Sequence, residues 1–137
     1  MRLIHLDTNF LIQAERPNTP AAHTLAAWLR EGVVLRASLL VWTEYLCGAH
    51  DEARVRHWQV TLDGFDGLTE SQCQLAASLQ RHDRSDRPRL IDCLIAAGAI
   101  EQGAALATIN RRDFERFVDH GLELAMDQWR SLPGGNG

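Results

Sequence analysis

Short apolar runs and longer stretches of helical spacing alternate along this chain. Leu3-Ile4-His5-Leu6, Val33-Val34-Leu35-Arg36-Ala37 and Ala104-Ala105-Leu106-Ala107-Thr108 are brief, continuous and apolar, which is the signature of buried strands. Phe65-Asp66-Gly67-Leu68-Thr69 and Leu122-Glu123-Leu124 read as weaker strands. Between them the spacing predicts a helix over 11–15, with Thr8 or Asn9 as its cap and Pro17 and Pro20 as breakers. Further helices are predicted over 21–31, stopped by Gly32, over 39–49 behind Ser38, over 52–61, and over 70–82 behind Thr69. Asp86-Arg87-Pro88 reads as a turn before the most apolar helix, 90–102, which Gly103 ends, and a short helix is expected around 113–118.

Strands that alternate with helices imply a parallel sheet covered on both faces, an α/β fold of three α/β/α layers. No internal repeat or linker divides the chain, so residues 1–132 are expected to form one domain and Pro133-Gly134-Gly135-Asn136-Gly137 a flexible tail.

Composition changes the picture in three places. A formal charge of −4 and 45% apolar residues describe a globular protein. No apolar run approaches the roughly 20 residues a membrane span needs, so no membrane partner is expected. Asp7 interrupts what would be the apolar core of a signal peptide, so a cytoplasmic location is expected. The cysteines Cys47, Cys73 and Cys93 show no metal-ligand spacing and read as small buried hydrophobes in a reducing compartment. All 14 basic residues are Arg, which excludes any mechanism that requires a lysine. Net negative charge argues mildly against nucleic-acid binding, but a bound cation would reverse that balance locally. Arg81-His82-Asp83-Arg84-Ser85-Asp86-Arg87-Pro88-Arg89 and Arg111-Arg112 are basic clusters, readable as solvated surface or as phosphate contacts.

The candidate chemistry lies in four acids placed among apolar neighbours. Asp7 closes the first apolar run, and Glu44 interrupts Leu39-Leu40-Val41-Trp42-Thr43. Asp92 is the lone charge in Leu90-Ile91-Asp92-Cys93-Leu94-Ile95-Ala96-Ala97, and Asp113 ends Thr108-Ile109-Asn110-Arg111-Arg112-Asp113. Burying a carboxylate costs several kcal/mol unless a cation compensates. Asp7 and the segment from Thr108 to Asp113 follow strands and should emerge at one sheet edge, with Asp92 in the first turn of a helix packed on the sheet. Glu44 and Asp92 have apolar neighbours at helical spacing and are expected to point inward. A shared divalent cation, Mg²⁺ or Mn²⁺, would reconcile them, and such clusters activate water against phosphodiesters. Plainer alternatives stand beside this reading. Asp7 and Asp113 can be helix caps, and Glu44 and Asp92 can pair with arginines.

The same segments resemble the motifs of PIN-domain nucleases. Leu6-Asp7-Thr8-Asn9 is similar to their opening motif, and Ser38-Leu39-Leu40-Val41-Trp42-Thr43-Glu44-Tyr45 to the second acidic one. Asp92-Cys93-Leu94-Ile95-Ala96-Ala97-Gly98-Ala99 resembles the third, and Thr108-Ile109-Asn110-Arg111-Arg112-Asp113-Phe114 the fourth. Within that family the compact length resembles the VapC-type toxins of toxin–antitoxin pairs. The resemblance implies an Mg²⁺- or Mn²⁺-dependent endoribonuclease, with Asp7, Glu44, Asp92 and Asp113 as catalytic and metal-binding residues. Asn110 stands where some members carry an acid, so either Asn110 or Asp113 can fill the fourth acidic role. Asp113 is the favoured metal-side group, with Asn110 as a polar orienter. Thr8, Asn9, Asn110, Arg89, Arg111 and Arg112 are the expected substrate contacts. The implied partners are RNA, a cognate antitoxin and a second copy of the chain, and the alternative is an inactive PIN-like interaction module.

Other chemistries lack their residues. A haloacid-type phosphatase needs an acid where Asn9 stands, and it and phosphoacceptor receiver domains both need a lysine. Neither GxGxxG nor GxSxG occurs. His5, His23, His50, His57, His82 and His120 show no ligand spacing.

Overall fold

A computed structural model describes residues 2–48, 51–85 and 89–125. The order is β1 (Leu3–Leu6), α1 (Thr8–Ala14), α2 (Pro20–Glu31), β2 (Val34–Ser38), α3 (Leu39–Leu46), α4 (Glu52–Thr61) and β3 (Gly64–Asp66). It continues through α5 (Glu70–His82), α6 (Leu90–Gln102), β4 (Ala105–Ala107), α7 (Arg111–Phe114), a 3₁₀ turn (Glu115–His120) and β5 (Glu123–Leu124). The five strands form one parallel sheet in the order β3-β2-β1-β4-β5. Consecutive strand residues face opposite sides, yet Ile4, His5 and Leu6 are all buried, as are Ala105, Leu106 and Ala107. Both faces are therefore covered, as the α/β reading expects.

The helix signals act as expected at most boundaries. Ser38 accepts from the backbone of Val41 and Thr69 from that of Gln72, while Gly32 and Gly103 end α2 and α6 in the left-handed conformation. The first cap differs, because Asp7 rather than Thr8 or Asn9 occupies it and its carboxylate accepts from the Thr8 amide. α3 also ends early, at Leu46, with Cys47 as its cap. The expected turn at Asp86-Arg87-Pro88 and the expected tail at 133–137 lie outside the described residues.

Two cysteine expectations are corrected. Cys93 is buried, but Cys47 and Cys73 are exposed, because their helices turn those positions away from the sheet. The core instead gathers Trp28, Tyr45, Trp58, Phe10 and Phe117 around the apolar strands. Glu15 ties three helices together: its carboxylate accepts from the Tyr45 hydroxyl on α3 and, at 3.0 Å, from Trp58 Nε1 on α4. The α5–α6 seam is close because α6 carries Gly98. A Cβ there would lie 2.8 Å from Gln72 Nε2, which donates to the Leu94 carbonyl at 2.9 Å.

Candidate active site

β1 is central, with β2 on one side and β4 on the other, so the chain turns in opposite directions from its C-terminal end. Such a switch point opens a crevice at the strand ends. Asp7 follows β1 directly and Thr108 follows β4. The two strand ends are fastened by polar bonds. Thr108 Oγ1 donates to Asp7 Oδ2 at 2.8 Å and accepts from the Asn110 amide at 3.1 Å. Asn9 Oδ1 accepts from the Ile109 amide at 3.0 Å. α3 brings Glu44 to the same place, where Thr8 Oγ1 donates to Glu44 Oε1 at 3.1 Å. α6 supplies Asp92 from its first turn, and α7 supplies Asp113.

Asp7, Glu44, Asp92 and Asp113 all line one cavity of about 170 Å³. Thr8, Asn9, Asn110 and Arg89 complete its polar wall, with Ile12, Ile95 and Phe114 as the apolar part. Six of the eight predicted metal and substrate residues outside the Arg111-Arg112 pair are carboxylates or amide-bearing side chains, all hard oxygen donors. The described lining contains no thiol and no imidazole, which suits Mg²⁺ or Mn²⁺ better than a softer metal. Arg111 and Arg112 stand outside the lining; Arg111 pairs with Glu115 at 3.2 Å, and Arg112 is exposed.

Electrostatics records the crowding. Burial pushes the Asp7 carboxyl up to about 6, the Thr108 and Thr8 bonds oppose that, and the charges of Glu44 and Asp92 add to it. Burial likewise raises Asp92, against Arg89 and Arg116, while Asp113 and Glu44 push it further up. The inward expectation holds for Asp92, at 7% exposed, but not for Glu44, which is only half-buried; Asp7, at the end of β1, is 5% exposed. Among the described residues no three carboxylates are yet drawn together around a common ion position. Two accept from local donors, Asp7 from Thr8 and Thr108 and Glu44 from Thr8, and Asp92 lies 3.7 Å from Arg116.

The plainer alternatives are partly realised as well. Asp7 caps α1 while lining the cavity, and Asp92 has an arginine 3.7 Å away. Asp113 is not a cap; Asn110 holds that position and Asp113 lies in the first turn. Two residues escaped the sequence reading. The Thr108 hydroxyl bridges the strand ends, and Arg116 reaches Asp92. Arg116 lies three residues after Asp113 on a helical turn, a spacing that puts both on one face.

The PIN domain family model matches residues 4–119. A toxin–antitoxin complex from Klebsiella pneumoniae has the same fold at a TM-score of 0.67 and 27% identity, covering 83% of this chain and 90% of that one. VapBC-1 from nontypeable Haemophilus influenzae gives 0.67 at 20% identity over 94% of this chain and 99% of that one. DNA-bound VapBC from Salmonella typhimurium gives 0.65 at 24% identity over 90% and 97%. No curated protein matches the chain.

Proposed function

This chain belongs to the PIN-domain family, and from that premise we propose that it is an Mg²⁺- or Mn²⁺-dependent endoribonuclease and the toxin of a toxin–antitoxin pair. The observation that carries the reading is the meeting of Asp7, Glu44, Asp92 and Asp113 in one cavity at the C-terminal edge of the sheet. Asp7 and Asp92 are the groups that would hold the cation, with Glu44 at the rim and Asp113 or Asn110 completing the set. The bound ion would supply a hydroxide at neutral pH and offset the charge that builds on the phosphate.

The chain's own part is to arrange charge. Thr108 and Thr8 fix the two oxygens of Asp7 in place before any ligand arrives. Asn9 anchors the loop that carries Asn110 by accepting from Ile109. Arg89 faces the cavity and is placed to meet a phosphate oxygen. The domain reading, residues 1–132 followed by a short tail, belongs to the same proposal.

An antitoxin partner is supported by one solved relative, a toxin–antitoxin complex from Klebsiella pneumoniae. Leu29 on α2 and Leu39 and Leu46 on α3 are 47–48% exposed, apolar area that an antitoxin or a second copy of the chain would cover. The early tryptophans do not contribute, since Trp28 and Trp42 are buried. Among the described residues no helix is long and apolar enough to cross a membrane, and a cytoplasmic site of action is part of the toxin reading.

One observation favours an inactive interaction module: the Asp7 and Glu44 carboxylates are already bonded by Thr8 and Thr108. Purified protein incubated with RNA separates the two. The nuclease reading expects cleavage with Mg²⁺ or Mn²⁺ that stops with EDTA. Intact RNA under all metal conditions would leave the module reading standing.

A further inference from the structure

Arg116 bonds the element that carries Asp113 and lies close to Asp92 without lining their cavity. Its Nη1 donates to the Asp113 carbonyl on α7. Its Nη2 stands 3.7 Å from Asp92 Oδ2 on α6, beyond hydrogen-bond distance, so it leaves the lone pairs of that carboxylate free. Its Nε lies 3.1 Å from Asp83 Oδ2, just after α5, and its guanidinium carbon sits 4.5 Å from the centre of the Phe117 ring. The contact with Asp83 is an ion pair by distance rather than a straight hydrogen bond. The Asp83 side chain is fully covered, and Arg116 does not line the acidic cavity.

We propose that Arg116, held by Asp83 and Phe117, is a positioning residue that keeps Asp92 and Asp113 in register for a divalent cation. This deepens the nuclease reading and rests on it. The competing account is purely Coulombic: a positive charge beside a metal ligand opposes the metal. Two features decide between them. The charge of Arg116 is already balanced by Asp83, its nearer neighbour, so the pair opposes a cation only weakly. The planar fork also joins elements that no other described bond fastens at this point, with the Asp113 backbone on one prong and the Asp92 carboxylate facing another. The two accounts therefore predict opposite signs. Loss of a positioning group loosens the ligands, whereas loss of an opposing charge tightens binding.

The test is an Mn²⁺ titration of the full-length protein, followed by calorimetry, for wild type, Arg116→Met and Arg116→Lys. Positioning predicts Mn²⁺ binding weaker by about ten-fold or more in Arg116→Met, the usual size of effect for groups that orient metal ligands. Arg116→Lys, which keeps the charge but not the fork, should remain weakened. Unchanged or tighter binding in Arg116→Met, or full recovery in Arg116→Lys, overturns the proposal. If Arg116→Met does not fold by circular dichroism, Arg116→Gln carries the same sign test, since it removes the charge and keeps a donor. A wild-type protein that neither binds Mn²⁺ nor cleaves RNA overturns the nuclease reading and this inference together. A wild type that does both, beside variants of unchanged affinity, overturns this inference alone.

Discussion

Burial and two neighbouring acids hold Asp7 in conflict when no cation is present, and the conflict has a measurable sign. Its carboxyl is raised to about 6, above the roughly 3.9 of an unfolded chain. A raised acid favours the protonated folded state, so its contribution is full below about pH 4 and is lost as pH rises toward 6. In EDTA, Asp7→Asn should therefore gain stability over wild type across that window, by at most about 3 kcal/mol. A stability difference that is flat with pH, measured by urea unfolding, would show that the charge is not strained. Asp92→Asn tests the same principle one helix away. It should abolish cleavage yet keep or raise the metal-free melting temperature, because it removes a buried charge and, secondarily, repulsion from Asp113 and Glu44. An unfolded variant would mark Asp92 as structural. At this scale the sequence singled out Asp7, Glu44 and Asp92 because each closes or interrupts an apolar run, and the structure sets them beside Asp113 around one cavity. The sequence could not show that Thr108 and Arg116 attend them, since those contacts span 101 and 24 residues of separation, a distance that no local pattern encodes.

The helices hold these residues through close seams rather than long ones. Gly98 lets α5 and α6 approach until Gln72 reaches the Leu94 carbonyl, and Gln72 is only 5% exposed. Gly98→Ala would put a Cβ 2.8 Å from an amide that cannot swing away without losing its bond. A loss of about 1–3 kcal/mol is expected in urea unfolding, as for other overpacked cores. An unchanged midpoint would mean that the seam yields freely. Helices and their stops were legible in the chain, since Ser38, Thr69, Gly32 and Gly103 act through strictly local bonds. Strand ends were read less well: β4 proves to be Ala105–Ala107 and β3 Gly64–Asp66, because pairing partners far away in sequence decide where a strand stops. The rim position of Glu44 was hidden for the same reason, as the docking of α3 sets it.

Across the whole molecule, a net charge of −4 sits beside a proposed polyanionic substrate. The acids account for much of this, and a bound cation would invert the local field. RNA binding should then depend on Arg89, which lines the cavity, and on Arg84, Arg111 and Arg112, together with Arg87, which lies outside the described residues. Neutralising these arginines should weaken binding and flatten its dependence on salt, each lost phosphate contact lowering the slope by about 0.7 on single strands. An unaltered slope would return them to solvated surface. The order β3-β2-β1-β4-β5 puts the central strand at the switch point, so the fold itself gathers residues 7, 44, 92 and 113 at one edge. Diffraction from crystals soaked in Mn²⁺ tests that convergence most directly. An anomalous peak within about 2–2.5 Å of carboxylate oxygens of both Asp7 and Asp92 is the predicted result. Crystals that take up Mn²⁺ elsewhere, or leave this cavity without a peak at saturating metal, would contradict it.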